Sequence, residues 1–262
     1  MGNAIEVTGL RTHYGQREIL KGISISVPRG KTSVILGGSG CGKSTLLKHL
    51  IGLIRPTEGK IAINGRDIAA MNEEELNGVR RKMGVLFQGA ALLNSLTVAE
   101  NVALPLQQYT DLSPGQIKKI VLLKLALVGL AGFEEYYPSE ISGGMKKRAG
   151  LARAMALDPD ILFFDEPSAG LDPISAHLLD ELIIELRNSL GATVVVVTHE
   201  LASIFAIGNN SVFLDAETRT MIATGSPRRL LDECRNRTVR RFLTRGTEGD
   251  DGPGGGEPCF LA

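Results

Sequence analysis

The chain has 262 residues, of which 43% are hydrophobic, which is sufficient for one large or two small domains with a full core. Its 29 basic residues balance 29 acidic residues, so no overall field directs it to nucleic acid or acidic lipid. Three widely spaced cysteines, Cys41, Cys234 and Cys259, offer neither a disulfide framework nor metal-ligand spacing. The N-terminal stretch has no signal-peptide pattern and the apolar runs are too short to cross a bilayer, so we predict a soluble cytoplasmic protein.

Strand-like and helical segments alternate along most of the chain, which predicts an α/β fold with a largely parallel sheet. Residues 4–14 and 18–27 predict an early antiparallel pair, and residues 32–37 a buried strand. A glycine-rich loop follows that strand and leads into a predicted helix over residues 43–54. The sequence predicts further strands at KIAING, MGVLFQ, ILFFDE and TVVVVTHE. The last two are apolar on both faces, as interior parallel strands are.

Two segments depart from this alternation. Between residues 88 and 142, β-rich runs are almost absent and apolar residues recur at helical spacing, which predicts an inserted helical subdomain. The arginine-rich residues 228–245 predict one helix, which is either a docking surface or a solvated face that covers the core, with one side formed by Leu231, Cys234, Thr238 and Phe242. The glycine- and acid-rich end of the chain predicts a flexible tail.

Residues 37–45, GGSGCGKST, lie between a predicted strand and a predicted helix, which is the context of a Walker A phosphate-binding loop. Glycines there let backbone N–H groups close around phosphates. Lys43 would add a positive charge at the β- and γ-phosphates, and Ser44 would offer a hydroxyl to Mg²⁺. The sequence therefore predicts a nucleotide-binding site.

Polar side chains that such a loop needs as partners follow other predicted strands. Asp165 would reach the magnesium shell, and Glu166 is placed as general base for an attacking water, although a plain helix-start carboxylate is the alternative. The amide oxygen of Gln88 suits magnesium or a water, or it is only a polar strand end. His199 would contact a γ-phosphate, or it is a structural histidine.

A second glycine-containing turn, formed by Ser142, Gly143 and Gly144, precedes a helical pattern that carries lysines and arginines. The first N–H groups of a helix have no partner within the helix, so such a turn can hold an anion. The same pattern is also explained by a helix N-cap at Ser142.

The order and spacing of these motifs resemble those of ATP-binding-cassette (ABC) ATPases, over about residues 4–243. The resemblance implies a P-loop NTPase fold, in which a RecA-like core with an antiparallel β subdomain carries an α-helical subdomain at residues 91–150. A flexible tail would then occupy residues 244–262. The motifs that carry the resemblance are residues 37–45, Gln88, SGGM at 142–145, Asp165 with Glu166, SAGLD at 168–172 and His199.

The resemblance also implies ATP and Mg²⁺ as cofactors. The catalytic residues that it implies are Glu166, His199 and Lys43, and the metal ligands are Ser44, Gln88 and Asp165. Tyr14 lies where such proteins stack an aromatic ring on adenine, with a plain strand tyrosine as the alternative. The full set of implied ATP contacts is Tyr14, Gly37, Gly38, Ser39, Gly40, Cys41, Gly42, Lys43, Ser44, Thr45, Gln88, Ser142, Gly143 and Gly144.

Two nucleotide-binding domains of this family dimerise head to tail, and each ATP lies between the Walker A loop of one and the signature helix of the other. The resemblance therefore implies a homodimer. Ser142, Gly143 and Gly144 would contact the γ-phosphate bound to the partner chain, which explains why one chain carries two anion sites.

Three local features resemble the ATPases of Mla (maintenance of lipid asymmetry) and mammalian-cell-entry type lipid transporters: Met145 in place of the commoner glutamine, residues 89–106, and VRRFLTRG near the C-terminus. This implies phospholipid transport between inner and outer membranes from the cytoplasmic face of a bacterial inner membrane. The implied partners are a permease dimer, a periplasmic lipid-binding protein with a mammalian-cell-entry domain, and a small cytoplasmic accessory protein.

Two other functions share parts of this pattern. The ATPase of an importer for amino acids or similar nutrients would carry every one of the same catalytic residues. ABC ATPases that act on DNA or ribosomes tend to carry long coiled coils, zinc cysteines or tandem cassettes, and this sequence has none of them. We therefore predict no nucleic-acid partner.

Overall fold

The N-terminal strands form an antiparallel sheet, in a computed structural model that describes residues 2–246 and 256–261. β1 (Asn3–Tyr14) pairs with β2 (Arg17–Pro28) across a tight turn at Gly15, whose φ of 61° suits glycine. β4 (Glu58–Ile63) pairs with the other edge of β1, and β5 (Arg66–Asp67) extends β4. The predicted antiparallel pair is thus present, within a sheet of strand order β2-β1-β4-β5.

A second sheet carries the parallel strands, and among the described residues it has seven strands in the order β11-β10-β9-β3-β8-β7-β6. Five neighbouring strands are parallel, which confirms the predicted α/β class. β9 and β10 extend the sheet beyond the strands that the sequence predicts. The strands are β3 (Thr32–Gly37), β6 (Met83–Leu86), β7 (Ile161–Asp165), β8 (Thr193–Val197), β9 (Asn210–Leu214), β10 (Met221–Gly225) and β11 (Cys259–Phe260).

The parallel strands are buried on both faces, because each face packs against a different apolar cluster. Phe163 of β7 joins the cluster shared with the antiparallel sheet, and its neighbour Phe164 joins the cluster on the opposite face. The helices that cover this core are α1 (Lys43–Leu50), α2 (Glu73–Arg80), α6 (Pro173–Leu190) and α7 (Leu201–Ile207). Because parallel strands end at the same edge, the residues after β3, β6, β7 and β8 meet there.

The helices between β6 and β7 occupy the span in which the sequence predicts a helical subdomain. They are α3 (Val98–Tyr109), α4 (Pro114–Leu127), a 3-10 helix (Pro138–Glu140) and α5 (Gly143–Ala154). α3 begins at a capping box, in which Thr97 Oγ1 accepts from the Glu100 N–H and Glu100 Oε2 accepts from the Thr97 N–H at 2.7 Å. Their apolar faces join the second cluster through residues such as Val102 and Leu125, so the insertion packs onto the α/β core.

Several predicted boundaries differ from the structure. The helix predicted over residues 43–54 ends at Leu50, because Ile51 leaves the helical conformation and Gly52 is left-handed with φ 70°. Gln88 and His199 each lie two residues beyond the last residue of their strand rather than at its end. Both side chains therefore sit on loops at the carboxyl edge of the sheet.

The single helix predicted over residues 228–245 is wrong. The structure has two short helices there, α8 (Pro227–Glu233) and α9 (Arg237–Leu243). α8 ends at Cys234, whose backbone is extended with ψ 124°. The side chain of Asn236 then accepts from the Val239 N–H and so caps the start of α9. The buried residues of this region are Leu230, Cys234, Asn236, Val239 and Leu243, so of the predicted face only Cys234 is buried.

The end of the chain also departs from a wholly flexible tail. β11 pairs in parallel with β10, with Cys259 opposite Ala223. Burial and a hydrogen bond with the Cys259 thiol raise the pKa of Cys234 to about 11. The predicted tail also includes residues 247–255 and 262, which lie outside the described residues. A bilayer-spanning helix is not found in the described parts of the chain, where even the 18-residue α6 carries several charged side chains.

Candidate active site

The phosphate loop lies between β3 and α1, as the sequence predicts. Gly37 is buried and has φ 142°, and a Cβ there would lie 2.2 Å from the Leu214 carbonyl oxygen, so only glycine fits. Gly42 precedes α1 in a left-handed conformation with φ 98°. The loop thus directs its backbone toward the N-terminus of α1, where N–H groups are available to an anion.

Lys43 bridges the opening of this loop. Its Nζ donates to the carbonyl oxygens of Gly37 at 2.9 Å and Gly38 at 3.0 Å. The side chain is half-buried, so the ammonium lies at the mouth of the loop rather than out in solvent. A phosphate that enters the loop would find the positive charge already in place.

An open cavity of about 320 Å³ lies above the loop. Tyr14, at the end of β1, forms one wall of it, and half of the Tyr14 side-chain surface is exposed. The antiparallel sheet thereby brings an aromatic ring to a loop of the parallel sheet. The other lining residues are Arg17, Ile19, Gly40, Gly42, Lys43, Ser44 and Thr45.

Two carboxylates follow β7 at the carboxyl edge of the parallel sheet. Asp165 Oδ1 and Glu166 Oε2 are buried and have no hydrogen-bond partner among the described residues. Burial raises the pKa of Asp165 and the Glu166 charge adds to the rise, whereas Lys48 and Lys43 oppose it. An unpaired buried carboxylate oxygen is a group that a cation would satisfy.

These residues fit the predicted magnesium site. Oxygen donors are what Mg²⁺ prefers, and the exposed Ser44 hydroxyl at the start of α1 and the Asp165 carboxylate both supply them. Gln88 is exposed, two residues after β6, and β6 is the parallel neighbour of β7, so its amide lies at the same sheet edge. No cluster of three or more His, Cys, Asp or Glu side chains with metal-binding geometry occurs in residues 2–246 and 256–261.

Glu166 has an unusual backbone, because its φ is 48° although it is not glycine. Its N–H donates to the Val197 carbonyl at 2.8 Å. Its Oε1 lies 2.8 Å from Nδ1 of His199. With the carboxylate ionised, Nδ1 must carry the donated proton, so this contact fixes the imidazole tautomer. The structure pairs His199 with Glu166, where the sequence predicts a phosphate contact.

Ser142, Gly143 and Gly144 lie apart from this cavity and form no part of its lining. They begin α5, and Ser142 Oγ accepts from the Met145 N–H at 3.2 Å. Ser142 is therefore a helix N-cap, as one interpretation of the sequence predicts. Ser142 and Gly143 are exposed. The helix N-terminus is therefore exposed and does not line the cavity above the phosphate loop of its own chain.

One residue that the sequence reasoning missed is Lys147. It is only 6% exposed, and its Nζ donates to the carbonyl oxygens of Gln88 and Glu166. The one sequence feature that could have indicated its burial is its place on a predicted helix close to Ala149 and Gly150, both of which are buried. Sequence alone does not show which backbone groups it meets.

The family model of the ABC transporter matches residues 20–169, more than half of the chain. The chain belongs to the ABC transporter family. The matched span includes the phosphate loop, both carboxylates and the turn at residues 142–144, which we call the signature turn. This membership confirms the P-loop fold and identifies the chain as an ABC-type ATPase, for which ATP is the substrate.

Curated relatives are similar to this ABC ATPase over most of its length. The "Probable ribonucleotide transport ATP-binding protein mkl" of Mycobacterium tuberculosis (strain ATCC 25618 / H37Rv) is 44% identical over 93% of this chain and 67% of its own length. The "Intermembrane phospholipid transport system ATP-binding protein MlaF" of Escherichia coli (strain K12) is 42% identical over 93% of this chain and 89% of its own. MlaF of Haemophilus influenzae is 41% identical over 94% and 92%.

Solved structures of ABC ATPases share the fold. A dimeric post-hydrolysis state of the ATP-binding cassette MJ0796 bound to ADP and Pi gives a TM-score of 0.77 at 30% identity, covering 85% of this chain and 98% of that one. The cbiO1 protein of Clostridium perfringens, part of the cbiONQ transporter complex, gives 0.81 at 28% identity, covering 94% and 97%. The predicted fold class is thereby confirmed.

Proposed function

We propose that this ATPase works as a head-to-tail homodimer in which each ATP is enclosed between the phosphate loop of one chain and residues 142–144 of the other. The observation that carries this proposal is the placement of the signature turn. It is exposed at the N-terminus of α5 and lies outside the cavity above its own phosphate loop. A second chain would bring such an N-terminus to the open cavity, and the structural neighbour MJ0796 is itself described as dimeric.

Within each site, the residues of one chain divide the work. The loop N–H groups and Lys43 bind the phosphates, which requires the Lys43 ammonium to exchange its bonds to Gly37 and Gly38 for phosphate oxygens. Tyr14 stacks on the adenine from the far wall of the cavity. Ser44, Gln88 and Asp165 would hold Mg²⁺, which would supply positive charge to offset that of the phosphates.

Glu166 acts as the general base. Its Oε2 is buried and has no partner among the described residues, so it would accept a proton from a water that reaches it once the nucleotide is bound. Its Oε1 is held by His199, which fixes the direction of the carboxylate. The other ring nitrogen, Nε2, lies 4.0 Å from Glu200 Oε1, and because 58% of the His199 side chain is exposed, it can still turn to a γ-phosphate oxygen.

The transported substrate that we propose is phospholipid, moved between inner and outer membranes through a partner permease. Two MlaF relatives named for intermembrane phospholipid transport share 41–42% identity with this chain over about nine-tenths of both proteins. The mycobacterial relatives carry the name of a ribonucleotide transporter at similar identity, but the chain spans only 67% of their length. Met145 and the segment at residues 89–106 add local support.

The permease would bind beside the helical insertion. A cavity of about 260 Å³ lies there between α2, β6 and α3. Both aromatic side chains of its lining, Phe87 and Tyr109, are exposed, and Arg81 lies over the Tyr109 ring at 5.1 Å from its centre. Phe87 directly precedes Gln88, so a permease helix in this groove would act one residue from the proposed magnesium ligand. A periplasmic mammalian-cell-entry domain protein and a small cytoplasmic accessory protein complete the proposed assembly.

The test is to purify the tagged chain with its partners from solubilised bacterial membranes. We expect a permease and a protein with a mammalian-cell-entry domain. In proteoliposomes of that complex, ATP should move phospholipid to an acceptor, and the Glu166→Gln complex should not. ATP-dependent ribonucleotide or amino-acid uptake without phospholipid movement would replace the lipid proposal with an importer.

A further inference from the structure

Lys147 is a buried cation one helical turn beyond the signature turn of α5. Its side chain is almost entirely buried, whereas its neighbour Lys146 is half-exposed. A buried ammonium is costly unless its three donors find acceptors. Burial lowers the pKa of Lys147, and the Glu166 and Asp165 charges act against this fall. The hydrogen bond from Nζ to the Glu166 carbonyl places the lysine beside the proposed general base.

The acceptors of Lys147 are backbone carbonyl oxygens rather than carboxylates. Nζ donates to the carbonyl of Gln88 and, at 3.2 Å, to the carbonyl of Glu166. Gln88 follows β6 and Glu166 follows β7, so one ammonium joins the ends of two neighbouring strands. These two residues are the proposed magnesium ligand and the proposed general base.

The Glu166 backbone needs such support, because a non-glycine residue at φ 48° is held in place by its surroundings. Its N–H is held by the Val197 carbonyl at 2.8 Å. Its carbonyl accepts from Lys147 and from the Ala169 N–H at 3.2 Å. Because the two peptide planes fix where the side chain leaves the backbone, the Lys147 bond helps to set the direction of the Glu166 carboxylate.

α5 is well placed to act as a support, because it packs tightly on the segment after β6. A Cβ on Gly150 would lie 2.8 Å from the Leu86 side chain and 3.1 Å from Ala90, so glycine permits the close approach. Arg153 donates to the carbonyls of Ala90 at 2.8 Å and Ala91 at 2.7 Å. The helix that carries Lys147 cannot shift without moving the loop that carries Gln88.

We infer that Lys147 is a positioning residue for ATP hydrolysis, which holds the backbones of Glu166 and Gln88 of its own chain in their working orientation. The inference rests on the proposed role of Glu166. It means that α5 serves two sites: its N-terminus meets the nucleotide of the partner chain, and its second turn supports the general base for the nucleotide of its own chain.

The first test is Lys147→Met, which keeps a long unbranched side chain and removes the donors. We expect kcat to fall by about tenfold to a hundredfold, since small misplacements of catalytic groups cost this much. The KM for ATP and the ATP affinity, measured by titration with a fluorescent nucleotide, should stay within about twofold. Lys147→Arg, which keeps a positive charge and N–H donors at the end of a long side chain, should recover most of kcat. Lys146→Met is the matched control on the same helix and should behave as the wild type.

Three results would overturn the inference. The first is a methionine variant that keeps more than half of kcat, and the second is arginine and methionine variants that are impaired alike. The third is a loss of ATP affinity that matches the loss of kcat, which would place Lys147 in binding instead. If the methionine chain does not fold, Lys147→Gln takes its place. The same fall in kcat is expected there, because the shorter amide cannot reach both carbonyls.

The second test uses heterodimers purified through two different tags. If Lys147 acts on its own chain, Lys147→Met paired with Ser142→Arg damages one composite site twice and leaves the other intact. Lys147→Met paired with Lys43→Ala damages both sites. We expect the first heterodimer to hydrolyse ATP about fivefold faster than the second or more. Equal rates, or the reverse order, would exclude an action on the same chain.

A third heterodimer separates this inference from the dimer proposal. Ser142→Arg paired with Lys43→Ala leaves one intact composite site whatever Lys147 does. Its activity should exceed that of either homodimeric variant. If it is inactive, the head-to-tail dimer is wrong, and the inference is then judged on the kinetics of the Lys147 variants alone.

Discussion

The phosphate loop and the signature turn both present helix N-termini to an anion, but the chain builds them differently. At the loop, Gly37 and Cys41 are buried, Lys43 is held by two carbonyls, and Asp165 and Glu166 each keep a buried oxygen without a partner. At the signature turn, Ser142 and Gly143 are exposed and the Ser142 hydroxyl caps its own helix. The loop end thus keeps buried oxygens without a hydrogen-bond partner among the described residues, whereas the signature turn is exposed.

This difference assigns a role to each end. Unpaired buried oxygens destabilise a fold unless a ligand satisfies them, so the loop end is prepared for a nucleotide and a cation that bind to the same chain. An exposed helix N-terminus loses nothing in the isolated chain. It gains a partner only when another molecule presents an anion. The signature turn is therefore prepared for a second chain.

The largest expected effect is at the loop end. Glu166→Gln should lower kcat by about 10²–10⁴-fold, because the amide cannot accept the proton of the attacking water. ATP binding should persist and the closed dimer should accumulate, which size-exclusion chromatography with ATP would show. Glu217→Gln, an exposed glutamate on the loop between β9 and β10, is the control. Near-normal phosphate release by the Glu166 variant would remove it from the role of base.

Lys43→Ala comes next, with loss of a charge-assisted bond to phosphate. Such bonds contribute about 1.5–3 kcal/mol, so we expect ATP affinity to fall by about tenfold to a hundredfold. The exposed Lys31, just before β3, gives the matched control Lys31→Ala. Unchanged nucleotide affinity in the Lys43 variant would contradict the assignment of the loop.

Tyr14 tests whether the antiparallel sheet belongs to the loop end. Base stacking on an aromatic ring contributes about 1–3 kcal/mol, so Tyr14→Ala should weaken ATP binding by about fivefold or more. Tyr14→Phe keeps the ring and should bind ATP as the wild type does. If the alanine and phenylalanine variants bind alike, the ring is a wall of the cavity and not an adenine platform.

The signature end is tested by Ser142→Arg, which puts a bulky cation at the exposed N-terminus. The isolated chain should still bind ATP at its own loop, because residues 142–144 are not part of that cavity. Mixed with wild-type chains, it should form heterodimers with about half the wild-type turnover, since one of two symmetric sites remains. A loss of ATP binding by the isolated chain would place the signature turn in the same-chain site.

The smallest expected effect is on the pH dependence of stability, to which α1 contributes a buried histidine and α5 contributes none. His49, in the last turn of α1, is buried between the Thr12 hydroxyl at 2.5 Å and the Ile54 carbonyl at 3.1 Å. Burial lowers the pKa of His49 from its ordinary 6.5, so the folded chain binds the proton less readily than the unfolded one. Its contribution to stability is therefore complete above pH 6.5 and is lost as the pH falls below that value.

We expect urea unfolding to show a smaller loss of stability between pH 7 and pH 5 for His49→Gln than for the wild type. His177, an exposed histidine of α6, gives the control His177→Gln, which should keep the wild-type pH dependence. Parallel pH profiles for the wild type and the His49 variant would show that His49 does not titrate with unfolding. α5 has no histidine, so the signature end should be indifferent to this pH range.

Much of the fold followed from local patterns. The alternation of β-branched runs and helices predicted the parallel sheet, since a strand buried on both faces must be apolar throughout, as Val194–Val197 is. β9 and β10 were missed because NSVFL and MIATG are short and lack clear alternation. The sequence did not indicate the split of the C-terminal helix, because an asparagine such as Asn236 can lie inside a helix as well as cap one.

The residue types specify the chemistry of the site. Glycines, a lysine and a serine at fixed spacing in the loop, and two adjacent acids after a strand, bring their functional groups with them. Which groups meet depends on the folded chain. Folding pairs His199 with Glu166, places Tyr14 in the wall of the cavity above the loop, leaves residues 142–144 outside that cavity, and buries Lys147 against two strand ends. Lys147 contacts residues 19 and 59 positions away in the sequence, and His199 contacts a residue 33 positions away. A local sequence pattern cannot specify contacts between residues so far apart along the chain.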